Sequence, residues 1–124
     1  MPEVSPKPAV LVVEDEPLIR FTAVDAVEDA GLHALEAHNA DEALEVLVAH
    51  PQVKVLFTDV DMPGSMNGVQ LAGEVHDLRP DVGIVVTSGK HCINEDALPD
   101  AGSFLPKPYR PEQLLEVVTS KLDE

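Results

Sequence analysis

The sequence has 124 residues, enough for one domain with a sizeable core, and its 44% hydrophobic content excludes a chain that is disordered by composition. Its 23 acidic and 8 basic residues give a net charge of −15, so we expect neither nucleic acid nor a membrane as a partner and favour a basic surface or a cation. Aromatic residues make up only 3% of the chain, too few for base-stacking platforms or aromatic-lined pockets.

The chain carries signs of a reducing compartment. Its one cysteine, Cys92, excludes an internal disulfide. No apolar run approaches the roughly 20 residues of a membrane span, and the first residues, MPEVSPKP, lack the hydrophobic stretch of a signal peptide. We therefore expect a cytoplasmic protein with a disordered N-terminal tail over residues 1–8 and a single domain over residues 9–124.

Short apolar runs alternate with stretches of helical spacing along the chain. The apolar runs predict five strands, at residues 9–13, 33–37, 53–59, 82–87 and 103–105. The helical spacing predicts five helices, at residues 17–30, 40–50, 69–78, 93–98 and 111–122. The fourth of these has room for only one or two turns. Alternation with short connections predicts an α/β domain whose parallel sheet is covered on both faces.

Chemically useful side chains follow the predicted strands. Glu14 and Asp15 come after the first strand, Asp59 ends the third, Thr87 ends the fourth, and Lys107 lies just past the fifth. The carboxyl ends of parallel strands meet at one edge of a sheet, so these groups converge if their strands are neighbours. Three carboxylates brought together need a positive group among them, and Mg²⁺ or Mn²⁺ with oxygen ligands meets that need.

These features resemble the receiver domain of response regulators over residues 9–122. The matching motifs are VVEDEP with its acid pair, TDVDMPG with the acceptor, the following Gly68, VVTSG and FLPKPY. The resemblance implies a stand-alone receiver of two-component signalling. It also implies a flavodoxin-like, doubly wound fold with a five-stranded parallel sheet in the order 2-1-3-4-5 and five helices, the fourth of them short.

The resemblance implies a phosphoacceptor chemistry in this sequence. Asp59 would take a phosphoryl group from a sensor histidine kinase or a histidine phosphotransfer protein. Mg²⁺ or Mn²⁺ would be held by Glu14, Asp15, Asp59 and the backbone carbonyl of Asp61. Lys107 and the metal would neutralise the phosphoryl oxygens. The protein would support its own phosphorylation and autodephosphorylation without being a turnover enzyme.

The resemblance also implies a switch. The Thr87 hydroxyl would hydrogen-bond the new phosphoryl group and draw its loop inward. Phe104 matches the aromatic position that swings inward at the same time. The altered face would then be read by a downstream protein target, or the phosphoryl group would be relayed onward.

Several features depart from the family pattern. Glu14 stands where the family most often has Asp, the loop after Asp59 is one residue longer than usual, and Phe104 lacks a hydroxyl. The region of the fourth helix, an output surface in many members, is short and contains Pro99.

Two other functions compete with this interpretation. Asp59 and Asp61 form a DxD pair like that of haloacid dehalogenase phosphatases, although that family places it on the first strand. A receiver-like interaction module that is never phosphorylated is the second alternative. For the neighbouring polar residues we expect an exposed Asp61 side chain, Ser88 acting only as a small residue, and surface histidines without a ligand role.

Overall fold

The computed structural model describes residues 7–99 and 101–122. Its strands are β1 (Ala9–Val13), β2 (His33–Ala37), β3 (Val53–Asp59), β4 (Gly83–Ser88) and β5 (Ser103–Pro106). In the described residues the α-helices are α1 (Pro17–Asp29), α2 (Ala40–Ala49), α3 (Gly68–Leu78) and α4 (Pro111–Leu122). All strand pairs are parallel, and the sheet order is β2-β1-β3-β4-β5, which confirms the predicted fold.

The prediction of five helices is wrong at the fourth position. Between β4 and β5 the described residues form a single 3-10 turn, Glu95–Ala97, instead of an α-helix. The turn itself buries no residue, and Leu98 just after it is the buried apolar side chain of the segment. A helix there would lack the apolar stripe that packing requires, because this stretch offers so few apolar positions.

The two faces of the sheet bury separate cores. Successive strand residues point to opposite faces, so Val10 and Val12 of β1 pack on one side and Leu11 and Val13 on the other. The first side is covered by α1 and α4, and its core includes Ala23, Val27, Val55, Phe57, Val85, Leu114 and Val118. The second side is covered by α2 and α3, and its core includes Ala43, Leu47, Leu56, Leu71, Val75, Ile84 and Val86.

The ends of α1 explain why its connection to β1 is short. Pro17 occupies the first turn of α1, where its missing N–H costs nothing, and the Glu16 side chain accepts from the Leu18 N–H as the N-cap. At the other end, Gly31 adopts the left-handed conformation (φ 85°) that stops the helix. Only residues 14–16 therefore separate β1 from α1.

The expectation that β2 is partly exposed is confirmed, since only Ala37 among its residues is fully buried. The predicted disordered tail lies outside the described residues except for Lys7 and Pro8, which are exposed. Within the described ranges, no helix has the length and apolar character that crossing a bilayer demands.

Candidate functional site

The predicted site residues converge at the carboxyl edge of the sheet. β1 and β3 are neighbours whose connections leave in opposite directions, which is the switch point where doubly wound sheets bind ligands. Asp59 and Thr87 are direct register partners on β3 and β4. The Lys107 N–H donates to the Ser88 carbonyl at 3.1 Å, which holds the end of β5 beside β4.

The acids form a compact cluster at this edge. One carboxylate oxygen from each of Glu14, Asp15 and Asp59 lies within 4.8 Å of the other two. Glu14 and Asp59 are buried, whereas Asp15 is exposed and open to solvent. Closely spaced carboxylate oxygens with one open side suit a hard divalent cation that keeps some of its waters. The donor set therefore fits Mg²⁺ or Mn²⁺.

Lys107 provides the positive charge of the cluster. Its Nζ lies 2.7 Å from Glu14 Oε1 and 3.3 Å from Asp59 Oδ1, and its side chain is 18% exposed. The Lys107–Pro108 peptide bond is cis. The cation thus sits between two buried acids, where an unpaired carboxylate would be costly.

Burial and the contacts between Lys107 and the acids act in opposite directions on the pKa values of Glu14 and Lys107. Burial, together with the neighbouring charge of Asp59, raises the pKa of Glu14, although the hydrogen bond from Lys107 opposes the rise. Burial alone would lower the pKa of Lys107, but its hydrogen bond to Glu14 and the charges of Glu14 and Asp59 outweigh burial and raise it. The ammonium is therefore held charged, while ionised Glu14 is disfavoured and needs compensating charge.

Two buried polar atoms at this edge have no hydrogen-bond partner among the described residues: Asp59 Oδ1 and Thr87 Oγ1. The Lys107 contact to Asp59 is close enough for an ion pair but does not meet hydrogen-bond geometry. Buried polar groups are rarely left unsatisfied, and each exception calls for an explanation such as a catalytic role or a bound ion. Both atoms lie on register partners, so one ligand group placed between the strands could satisfy both.

Tyr109 lies beside the cluster and was not anticipated from the sequence. Its ring meets Phe57 edge-on, with ring centroids 5.5 Å apart and an interplanar angle of 83°. Burial and the negative charges of Glu14 and Asp59 raise the pKa of Tyr109 to about 12. It is the single tyrosine of a chain without tryptophan, so its absorbance reports this site alone.

We expect the Tyr109 phenol to ionise with a midpoint of about 12 in an alkaline absorbance titration. Asp59→Asn should lower the midpoint by removing one nearby charge, without restoring the ordinary value of about 10, because burial remains. The unfolded chain ionises first, so the free energy of unfolding should fall as pH rises above about 10. In Tyr109→Phe, the part of this decrease in unfolding free energy that comes from the phenol should be absent. A wild-type midpoint near the ordinary value would contradict the buried, negative environment.

The expectation of a merely exposed Asp61 side chain is wrong. Asp61 Oδ2 accepts a 2.7 Å hydrogen bond from Ser88 Oγ, and Asp61 Oδ1 lies 2.9 Å from His91 Nδ1. Ser88 Oγ also accepts from the backbone N–H groups of Lys90 and His91 at 3.1 and 2.9 Å. Ser88 is thus a bonding centre of the β4 loop rather than only a small residue, and Asp61 ties the β3 loop to it.

Gly68 and Phe104 flank the site. A Cβ built on Gly68 would lie 2.1 Å from the Asp59 carbonyl oxygen, so the first turn of α3 packs directly against the Asp59 backbone. Phe104, the predicted switch aromatic, is half-buried on β5 beside Val86. Its backbone N–H donates to Glu95 Oε2 at 2.8 Å, so the 3-10 turn is bonded to this strand.

Comparison with known proteins places this geometry in a family. Residues 10–119 match the model of the response regulator receiver domain. The chain is 36% identical to the sensor kinase CckA of Brucella abortus, over 98% of this chain but only 13% of the length of CckA. It is 32% identical to the response regulator receiver protein CpdR of the same organism, over 91% of this chain and 95% of CpdR.

Solved structures agree with the sequence comparisons. A response regulator receiver protein from Pseudomonas putida, known from its crystal structure, has 27% sequence identity to this chain and superposes with a TM-score of 0.81. The match covers 94% of this chain and 99% of the Pseudomonas putida chain. The family match spans nearly the whole chain, and a relative of similar length is a receiver protein. This chain therefore belongs to the response regulator receiver family, the phosphoacceptor proteins of two-component signalling.

Proposed function

We propose that this chain accepts a phosphoryl group on Asp59 from a phosphohistidine of a sensor histidine kinase or a histidine phosphotransfer protein. The observation that carries the proposal is the buried Asp59 carboxylate, clustered within 4.8 Å with Glu14 and Asp15 and 3.3 Å from the Lys107 ammonium. An Asp59 carboxylate oxygen forms a bond to phosphorus while the phosphorus–nitrogen bond breaks. The imidazole leaves with the electron pair of the broken phosphorus–nitrogen bond and takes up a proton.

The chain's own residues prepare this transfer. Glu14, Asp15 and Asp59 would hold Mg²⁺ or Mn²⁺ with their side chains, and Asp61 with its backbone carbonyl. Once bound, the ion would supply positive charge for the equatorial phosphoryl oxygens. Lys107, 3.3 Å from Asp59 Oδ1, supplies a further positive charge and is held in place by its 2.7 Å contact to Glu14.

Thr87 and Phe104 form the proposed switch. The buried Thr87 hydroxyl has no hydrogen-bond partner within the described ranges and sits directly opposite Asp59, so it is available to a phosphoryl oxygen there. Drawing Thr87 inward moves β4, and Phe104 on the neighbouring strand follows. The change in this surface is what a downstream protein partner would read.

We further propose a receiver domain over residues 9–124 that acts in the cytoplasm, with protein partners and neither nucleic acid nor membrane as a ligand. The net charge of −15 supports a partner with a basic docking face. The protein would support its own phosphorylation and autodephosphorylation and would not turn over phosphate esters.

The phosphatase alternative is disfavoured by the surroundings of Asp61. That mechanism needs the second carboxyl group of the DxD pair to donate a proton to the leaving group. Here both carboxylate oxygens of Asp61 are engaged, by Ser88 at 2.7 Å and by His91 at 2.9 Å. Asp59 also stands on the third strand, not the first.

The test uses acetyl phosphate as a small phosphodonor and intact mass spectrometry as the readout. We expect the wild-type protein to gain one phosphoryl group only when Mg²⁺ is present. Asp59→Asn should remain folded and gain none, because an amide cannot act as the nucleophile. Asp25→Asn makes the same chemical change at an exposed position on α1 and serves as the matched control. A phosphoryl group that persists in Asp59→Asn would overturn the assignment, and a wild-type protein that gains none would favour the non-phosphorylated module.

A further inference from the structure

Arg20, on the first turns of α1, makes two directed contacts at the edge of the site. Its Nη1 donates to the backbone carbonyl of Glu14 at 2.8 Å, and its Nε donates to Glu36 Oε1 on β2 at 3.1 Å. The side chain is only 17% exposed. A guanidinium held by two partners in different elements has a fixed position, because its donors form a rigid fork.

These contacts fix the peptide that joins the two acids after β1. The Glu14 N–H donates to the Ala37 carbonyl at 3.0 Å, and the Glu14 carbonyl accepts from Arg20, so both polar groups of this residue are anchored. The Glu14 carbonyl belongs to the same planar peptide unit as the Asp15 N–H. The direction in which Asp15 leaves the strand therefore depends on the bond from Arg20.

Apart from the Arg20 bond, the backbone around Asp15 is held, among the described residues, by the Glu16 N–H, which donates to Glu14 Oε2 at 3.3 Å. The Asp15 side chain is exposed and makes no hydrogen bond or ion pair among these residues, although its carboxylate is one of the three within 4.8 Å. Glu14, in contrast, is also held through its side chain by Lys107 at 2.7 Å. Loss of the Arg20 bond should consequently affect Asp15 more than Glu14.

The charge of Arg20 works against this geometric effect. A cation near the acids repels a second cation, so by charge alone the removal of Arg20 would strengthen metal binding. Glu36 Oε1, 3.1 Å from Arg20 Nε, offsets part of this positive charge, whereas the hydrogen bond to the Glu14 carbonyl gives Arg20 a directional role. When Arg20 is removed, the charge effect predicts tighter Mg²⁺ binding and the geometric effect predicts weaker binding, so an experiment can separate the two.

We propose that Arg20 is a positioning residue of the acidic site: by holding the Glu14 carbonyl it orients Asp15, and with it the cluster, for a divalent cation. This inference depends on the proposed cation site formed by Glu14, Asp15 and Asp59.

The experiment measures the Kd for Mg²⁺ by calorimetry in Arg20→Met and Arg20→Lys. We expect both variants to bind Mg²⁺ about tenfold more weakly, as is common when a group that orients a metal ligand is lost. Lysine keeps the charge but lacks the fork that joins a carbonyl to a carboxylate. Phosphorylation by acetyl phosphate should recover to within about twofold of the wild-type rate at saturating Mg²⁺, because affinity and not chemistry is impaired.

Arg79→Met is the matched control. Arg79 also donates to backbone carbonyls, those of Pro51 and Val53 at 3.0 Å each, and pairs with Asp81, but it does so at the amino edge of the sheet. Its loss should reduce thermal stability while leaving the Mg²⁺ affinity within about twofold of wild type, because the two sites are distant.

The outcomes separate the inference from the proposed function. Tighter Mg²⁺ binding in Arg20→Met, or a wild-type Kd in Arg20→Lys, would show that Arg20 acts through charge and would overturn the inference. An equal loss of Mg²⁺ affinity in Arg79→Met would show that the effect arises from lower stability of the fold, and it would also overturn the inference. A wild-type protein that does not bind Mg²⁺ would instead overturn the proposed cation site itself.

Discussion

Gly68→Ala is expected to cost roughly 2–4 kcal/mol of unfolding free energy and to slow phosphorylation of Asp59 severely. A Cβ at this position would lie 2.1 Å from the Asp59 carbonyl oxygen and 2.8 Å from both the Asp59 carbonyl carbon and the Val60 Cα. All three are backbone atoms, so no side-chain rotation relieves the overlap. Either α3 or the end of β3 must move, and the Asp59 carboxylate moves with the strand.

Gly73→Ala provides the control for this prediction. Gly73 lies in the same helix, but a Cβ there meets nothing within 4 Å. Alanine should stabilise the helix interior by about 0.5–1 kcal/mol and leave phosphorylation unchanged. Urea unfolding and acetyl phosphate labelling measure both effects. A Gly68→Ala protein as stable and as readily labelled as wild type would show that α3 does not press on Asp59.

Lys107→Met is expected to lower the unfolding free energy by about 2 kcal/mol at neutral pH without Mg²⁺, because it leaves buried carboxylates without their cation. Lys107 donates to Glu14 at 2.7 Å, and both this bond and its charge lower the Glu14 pKa. Without them the pKa of Glu14, already raised by burial, rises further. A carboxyl group with a raised folded-state pKa stabilises the fold below its unfolded pKa, and that contribution is lost as pH rises through the folded pKa.

The loss in Lys107→Met should therefore be largest near neutral pH and shrink as the pH falls toward the ordinary pKa of Glu14, 4.5. Urea unfolding across this range measures it. Adding Glu14→Gln should restore much of the stability, since the amide carries no charge. Lys54→Met is the control, because Lys54 pairs with exposed Asp81 at 3.5 Å and such pairs contribute little. A stability difference that does not vary with pH would contradict the electrostatic origin.

The acids, Thr87 and Lys107 could be identified from the sequence because each follows a predicted strand. Once the sheet is parallel, the chain order of strand ends already determines which residues share an edge. The period-2 pattern of β1 likewise anticipates the two cores. The alternation of apolar runs with stretches of helical spacing likewise supported the prediction of a parallel α/β sheet.

The contacts of Arg20, Ser88 and His91 could not be foreseen in this way. They join side chains to partners on other elements, such as Arg20 to Glu36 across 16 positions and Ser88 to Asp61 across 27. No local period signals such pairs, because their distance depends on how loops pack after the sheet has formed. The missing fourth helix has a local cause instead, the lack of an apolar stripe around Glu95–Ala97.

The bond between Glu95 and the Phe104 backbone bears on how exposed the edge strand β5 is to pairing with another chain. β5 is an edge strand, and unpaired N–H groups on an edge can template pairing with another chain. An α-helix often covers such an edge, but here only a 3-10 turn precedes it. A single carboxylate occupies the Phe104 N–H at 2.8 Å and brings negative charge to a strand of 4 residues. A short, charged edge of this kind disfavours strand addition and aggregation.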